Sequence, residues 1–328
     1  MELRKPFIRL PFNFDADRLS VEMEQLEPSA WMAHPSGLKG NSAIALISRD
    51  GQDNNDFIGN MKPTPHLASC SYHQQVMGSF GEVLTRSRLM KLDAGCEVTS
   101  HVDFNYHWYS RVRMHIPVVT NPDVMFYCGD EQVHMQAGEC WIFDNWRRHN
   151  VINGGQEDRV HLVVDLAGSS RFWQMARRME QYDVGDNVSE LIQFVPYDAH
   201  HLTEILTENY NSAPVMAPGE IDGLVSDLIR DFERHPGNDA ALVDRYRLLL
   251  MDFASDWREI WLQYGIQQSG IRQYQALIER TVKQLHPDRR ALVTASNDIG
   301  VNAIIMQRIL RAALVTEVRE DFIDDAGD

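Results

Sequence analysis

The sequence is poor in cysteine, has no long apolar run and is short of positive charge. Its four cysteines, Cys70, Cys96, Cys128 and Cys140, lie far apart, and none belongs to a C-x-x-C pair. That argues against a disulfide framework and against a thiolate zinc site. No segment approaches the ~20 consecutive apolar residues of a membrane span. The start, Met1-Glu-Leu-Arg-Lys-Pro-Phe-Ile-Arg-Leu10, carries charges without the apolar stretch of a secretory leader. Basic residues number 31 against 47 acidic ones, a formal net charge of −16, which disfavours a surface built to neutralise phosphates. Internal repeats and low-complexity tracts are also missing. The expectation is a cytoplasmic protein with reduced, packed thiols and with neither nucleic acid nor membrane as a partner.

What is present is globular: 328 residues, 44% hydrophobic and 24% charged, enough for one large domain or two ordinary ones. From about 85 to 168 short alternating or apolar runs are separated by turn chemistry, including Asp93-Ala-Gly95, Thr120-Asn-Pro-Asp123, Cys128-Gly-Asp130, Ala137-Gly138 and Asn153-Gly-Gly155. These delimit predicted strands at roughly 86–92, 106–119, 124–128, 132–136, 140–143, 147–152 and 159–166, a spacing that suits a sandwich or small barrel. After about residue 170 apolar residues recur at helical spacing in Gly219–His235, Asp239–Tyr264, Gly270–Leu285 and Asp288–Thr316. The reading is therefore a β domain over 1–170, opened by an irregular segment to about residue 80, and a helical domain over 171–328. The tail Glu320–Asp328 is acidic and expected to fray.

The chemistry concentrates in Ser100-His-Val-Asp-Phe-Asn-Tyr-His-Trp-Tyr-Ser-Arg-Val-Arg-Met-His115. On an extended backbone, residues i and i+2 leave the same face, so His101 and Asp103 can converge on one ion. A second histidine would complete a two-His, one-carboxylate facial triad, the donor set of non-haem Fe(II) sites. Candidates are His107, His115, His134, His149 and His161, and spacing alone does not choose among them. Asn153-Gly154-Gly155 favours His149: a hairpin symmetric about residue 154 sets it opposite Arg159, a ligand beside a guanidinium. A metal-chelated 2-oxo acid needs such a cation for its far carboxylate. Alternation of Val160, Leu162 and Val164 with Arg159, His161 and Val163 would aim Arg159 at a cavity. A polar stripe, Asn105, His107, Tyr109, Arg111, Arg113 and His115, shares one face of the predicted strand 106–119. It faces either water or a ligand cavity. Trp108, Tyr109, Trp146 and Arg111 could line the entrance or simply pack.

In order and spacing, His101-x-Asp103, Arg111-x-Arg-Met-His115, Trp141-Ile-Phe-Asp144, His149-x-x-x-Asn153 and Asp158-Arg-Val-His-Leu-Val-Val-Asp165 resemble the aspartyl/asparaginyl β-hydroxylase family. The resemblance implies a mainly β fold, a double-stranded β-helix of jelly-roll, cupin-like type, here followed by a C-terminal α-helical region. It implies Fe(II), 2-oxoglutarate and O2, with hydroxylation of an unactivated C–H bond. It implies His101 and His149 as ligands, Arg159 on the distal carboxylate of 2-oxoglutarate, and Arg113 and His115 in cosubstrate binding. Two departures stand out. The carboxylate ligand, absent from the animal peptide hydroxylases, is present as Asp103, nearer the bacterial branch that includes proline hydroxylases. A cosubstrate-binding serine is replaced near Met90. The expected substrate is an Asp, Asn or Pro-type side chain, in a peptide or a free amino acid, and the helical half could mediate homo-oligomers. The competing expectation is a non-redox metal- or ligand-binding β-helix protein, a sensor or accessory protein.

Overall fold

The computed structural model describes residues 3–35, 37–200 and 203–315. The acidic tail 320–328 lies outside them. The described chain falls into two compact units, residues 3–103 with 110–211, and residues 104–109 with 212–315. The division expected at 170/171 thus falls inside the first unit. The reason is backbone pairing: Leu84 N–H donates to the Leu206 carbonyl, Glu208 N–H to Leu84, and Met61 N–H to Glu208, each at 2.9 Å.

The first unit carries thirteen described strands. They are β1 (Phe7–Phe14), β2 (Met32–Ala33), β3 (Asn41–Arg49), β4 (Met61–Pro63), β5 (Leu84–Leu92), β6 (Glu97–His101) and β7 (Val112–Val119). They continue with β8 (Val124–Cys128), β9 (Glu131–Val133), β10 (Glu139–Phe143), β11 (His149–Asn153), β12 (Arg159–Leu166) and β13 (Gln193–Val195). The larger sheet runs β13-β1-β10-β7-β12-β5-β3-β2, with β4 on β3, and the smaller runs β6-β11-β8-β9. From β5 to β12 the chain passes back and forth between the sheets, so that β10-β7-β12-β5 face β6-β11-β8-β9. This is a double-stranded β-helix. The turn from β9 to β10 depends on Gly138, at φ +80°, where a Cβ would sit 2.2 Å from the Phe14 carbonyl oxygen.

The large sheet has two different faces. Val160, Leu162, Val164 and Leu166 of β12 join Ile44, Leu46, Leu89, Met114 and Ile116 in the main core. Helices α1 (Ala16–Glu24), α2 (Pro65–Ala68), α3 (Ser71–Ser79) and α5 (Ser170–Met179) supply Leu19, Leu67, Val76, Phe172 and Ala176 to that core. The opposite face meets the small sheet through a second core of Phe7, Val124, Phe126, Cys128, Trp141, Phe143 and Val151.

Several expectations change. The N-terminal segment is not irregular, since β1 and β3 extend the large sheet on both flanks. The predicted strand 106–119 is a helical turn, α4 (Tyr106–Tyr109), followed by β7. Asn105, whose Oδ1 accepts from Trp108 N–H at 3.3 Å, starts that turn. Only Arg113 and His115 of the polar stripe therefore lie on the strand.

The second unit is built on α6 (Pro218–Glu233), α7 (Ala240–Tyr264) and α8 (Ile271–Gln284), near the expected limits. Asp239 caps α7, accepting from Leu242 N–H at 2.9 Å. Tyr246, Leu249, Leu250, Phe253, Ala254 and Trp257 give α7 one buried stripe. The helix expected over 288–316 is confined to α9 (Val301–Ile304), a π-helical turn Ile305–Leu310 and α10 (Arg311–Ala313). Before Gly300, Thr294 Oγ1 bonds Asn297 Oδ1 at 2.6 Å and accepts from Ile299 N–H at 3.1 Å. Asp298 holds φ 58°. Such side-chain bonds give the backbone a local alternative to a helix.

Candidate metal centre

His101 and His149 are directly opposite each other on adjacent antiparallel strands, β6 and β11. Their rings lie 4.2 Å apart between centroids. Both rings are oriented by the backbone: His101 Nδ1 lies 2.7 Å from the Thr99 carbonyl and His149 Nδ1 2.8 Å from the Arg147 carbonyl. A carbonyl can only accept, so each Nδ1 carries the proton and each Nε2 presents a lone pair. Asp103 lies two residues past the end of β6, its N–H bonded to the Asn145 carbonyl at 3.0 Å. Its carboxylate oxygens are 3.9 Å from His101 Nε2 and 3.9 Å from His149 Nε2. One ligand atom from each residue falls within 4.8 Å of the other two, a spread that an ion about 2.1 Å from each donor spans with small side-chain adjustment. Burial, followed by the neighbouring His101, holds His149 well below the usual histidine range, leaving it neutral as a ligand must be.

Across the pocket, the large sheet presents Arg159, Arg113, Arg88, His115 and Met90. Arg159 is buried, its Nη2 is 2.7 Å from His161 Nδ1, and its Nε has no hydrogen-bond partner among the described residues. Burial pushes the guanidinium down to about 9. His161 and His115, with Nδ1 atoms 3.2 Å apart, are held well below the usual range by burial and then by the Arg159 charge. Arg113 Nε donates to Asp165 Oδ1 at 3.0 Å. Arg88 Nη1 donates to Asn55 Oδ1 at 3.2 Å.

His149 and Arg159 do share a pocket, but not as a hairpin pair. β11 bonds to β6 and β8, whereas β12 bonds to β5 and β7, so the two residues face each other from opposite sheets. The remaining histidine candidates fall elsewhere: His107 is edge-on to Trp108 in α4, and His134 Nδ1 bonds the Val124 carbonyl. Of the entrance candidates, Trp108 is fully buried in the second unit and Arg111 is paired with Glu208 at 2.5 Å. Trp146 is buried as well. Arg88 was missed by sequence reasoning. Its signal was Thr85-Arg-Ser-Arg88, charge alternating with small polar residues inside a strand.

Two other places compete and fall short. Glu22, Cys70 and His73 also gather three ligand types. The Glu22 carboxylate, however, already caps α3, accepting from Tyr72 N–H at 2.8 Å, His73 N–H at 3.1 Å and the His73 ring at 3.0 Å. Burial pushes the Cys70 thiol up to about 11, which keeps it protonated. A cavity of 390 Å³ bounded by Phe7, Arg9, Trp141 and Met179 contains one buried carboxylate, Glu139. Arg9 and the Trp141 indole already hold it, at 3.0 and 2.8 Å.

Residues 47–168, from within β3 to just past β12, match the sequence profile of the aspartyl/asparaginyl beta-hydroxylases. Over this segment, well under half of its length, the chain is similar to the aspartyl/asparaginyl β-hydroxylase family. Among similar proteins are an L-proline cis-4-hydroxylase from Rhizobium meliloti (strain 1021), 22% identical over 176 residues, 51% of this chain and 63% of the relative. Another is L-proline cis-3-hydroxylase 1 from a Streptomyces species, 28% identical over 116 residues, 34% of this chain and 40% of the relative. The chain thus spans less than two thirds of the length of either. Similar solved structures include an oxidoreductase of the 2OG-Fe(II) oxygenase family from Burkholderia pseudomallei, 12% identical, covering 46% of this chain and 78% of that one at TM-score 0.34. The non-heme alpha ketoglutarate dependent epimerase SnoN from nogalamycin biosynthesis is 12% identical, covering 49% and 77% at TM-score 0.35. The matched segment contains every residue of the candidate centre named above, and the helical unit lies almost wholly outside it.

Proposed function

We propose that this chain is an Fe(II)- and 2-oxoglutarate-dependent hydroxylase acting on an amino-acid side chain, with His101, Asp103 and His149 as the metal ligands. The observation that carries this reading is the pairing across one pocket of two fixed Nε2 lone pairs and a carboxylate with a buried guanidinium, Arg159, whose Nε lacks a partner among the described residues. The donor set fits iron: two neutral imidazoles and one carboxylate are the ligands of open non-haem Fe(II) sites. Bound there, Fe(II) with 2-oxoglutarate and O2 supplies the oxidising power that converts C–H to C–OH while 2-oxoglutarate goes to succinate and CO2.

The chain's own residues bind and orient. Arg159 holds the distal carboxylate of 2-oxoglutarate by a charge-assisted contact in a dry site. His115 and His161, kept neutral, support that guanidinium without adding positive charge. Arg113, whose Nε is held by Asp165, and Arg88, whose Nη1 is held by Asn55, line the same pocket. They suit the carboxylate of an amino-acid substrate, in keeping with relatives named as L-proline hydroxylases. A free amino acid with a proline-like side chain is thus favoured over a peptide.

The test needs no substrate. Anaerobic protein given Fe(II) and then 2-oxoglutarate should develop the weak visible charge-transfer band of a chelated 2-oxo acid. Iron bound without that band, and without succinate formation on any amino acid, would favour a non-redox metal-binding protein instead.

A further inference from the structure

Within the β unit, strand β5 sends Arg86 and Arg88 off one face, as residues two apart on a strand must be, and both are buried, at 2% and 3% exposure. Of the two, Arg88 lines the metal pocket. Both are gripped by one residue of the loop 50–60 that joins β3 to β4. The Asn55 main-chain carbonyl accepts from Arg86 Nη1 at 3.1 Å, and its side-chain carbonyl accepts from Arg88 Nη1 at 3.2 Å. Arg86 also lies over the Phe57 ring, 3.7 Å from its centroid, and its Nε is 4.0 Å from Asp165, the carboxylate that accepts from Arg113. Contacts therefore run from Arg88 through Asn55, Arg86 and Asp165 to Arg113.

The loop is fastened on both sides of Asn55. Asn54 Nδ2 donates to the Arg49 carbonyl at 3.0 Å, its Oδ1 accepts from Asp56 N–H at 3.2 Å, and Arg49 pairs with the Asp56 carboxylate at 2.8 Å. Asn211 closes the far side, accepting from Gly59 N–H at 2.9 Å and donating to the Phe57 carbonyl at 2.8 Å. What Asn55 offers its two arginines is a pair of carbonyl oxygens, which orient a guanidinium and leave its charge as it was. A carboxylate at the same place would cancel charge on Arg88 and compete with any anion entering the pocket. We propose that Asn55 is a positioning residue that fixes Arg88 by a neutral contact, and that this neutrality makes the site selective for a substrate carrying a carboxylate. Asp165, which does carry charge, meets Arg113 and Arg86, whereas the contact that Asn55 delivers to Arg88 is an amide.

This inference rests on the amino-acid hydroxylase reading, and the experiment separates the two. The full chain, anaerobic with Fe(II) and 2-oxoglutarate, is titrated with the proteinogenic L-amino acids, L-proline first, and the change in the visible band gives each affinity. The amino acid that binds is then compared with its decarboxylated amine, pyrrolidine in the case of L-proline, and melting temperature is read beside it. Native protein should prefer the amino acid strongly. Asn55→Ala should weaken that amino acid by about ten-fold or more, the size expected when a hydrogen bond to a charged group is lost, and narrow its preference over the amine. Asn55→Asp is the sharper variant, because it keeps the shape and adds an ion pair to Arg88. It should melt no lower than native protein, yet bind the amino acid about ten-fold or more weakly, with the preference over the amine again reduced. A merely structural role predicts the reverse. Asn55→Asp with native affinity and native preference would overturn the inference and leave the hydroxylase reading standing, whether or not Asn55→Ala folds. Native protein that shows the band but responds to no amino acid overturns the inference together with the substrate class, and leaves the metal and cosubstrate standing. Native protein that binds iron without developing the band overturns the hydroxylase reading and this inference together.

Discussion

The inner face of the small sheet is apolar up to its rim: Phe126, Cys128 and Val151 lead to His149 and His101. The facing surface of the large sheet carries Arg88, Arg113, His115, Arg159, His161 and Asp165, all buried. One wall offers lone pairs and the other offers charge. Such a division needs both walls: lone pairs on an apolar sheet can hold a metal but leave an anionic chelator uncompensated, and buried cations without an anion are costly. The comparison also separates the two faces of the large sheet itself, since β12 sends Arg159 and His161 inward and Leu162 and Val164 into the main core.

The sharpest way to break the comparison is to disable one wall and question the other. His149→Ala should abolish detectable Fe(II) retention, measured by metal content after anaerobic desalting, with the protein still folded. Iron retained at native stoichiometry would mean that the small sheet does not supply the ligands. Arg159→Ala should leave metal binding intact but raise the 2-oxoglutarate requirement about thirty-fold or more, since losing one partner of a buried charge pair costs about 2–5 kcal/mol. Titration of the visible band with 2-oxoglutarate reads this directly. The outer face should behave oppositely. Leu162→Ala, at a fully buried position, should lower stability in urea by about 2–5 kcal/mol while the folded protein keeps its metal and 2-oxoglutarate affinities. Loss of those affinities in step with stability would show that the two faces of the sheet are not independent.

The β core was legible where side-chain period and turn chemistry agree, as in β12 and at Gly138. It was illegible where one of them fails. β6, Glu97–His101, is largely exposed and has no apolar alternation to read. β1 contains Pro11, which argues against a strand, yet Pro11 sits where the pairing with β10 shifts register between Arg9 and Asn13, a place that tolerates it. α4 was hidden because Asn105, His107 and Tyr109 repeat with period two; the cap by Asn105 was the signal to weigh. For the site, proximity of His149 and Arg159 was inferred from a hairpin that does not form, and arises instead because successive strands of a β-helix alternate between sheets. The grip of Asn55 on Arg88 spans 33 positions, and no local pattern encodes it.

The smallest effect expected concerns the neutral histidines of the charged wall. Burial and the Arg159 charge hold His161 well below the ordinary histidine pKa, so below pH about 6.5 the unfolded chain takes up a proton that the folded chain refuses. Where the unfolded state binds more protons, stability rises with pH. It therefore falls as pH drops below about 6.5, by up to about 1.4 kcal/mol per pH unit for each such group. His161→Gln removes one of them. Urea unfolding at pH 7 and at pH 5.5 should show a smaller acid loss in His161→Gln than in the native protein, whatever the change in absolute stability. An equal loss in both would mean that His161 accepts its proton in the folded state. The wall beside Arg159 would then carry an additional positive charge, and the division between the sheets would be steeper at acid pH than at neutrality.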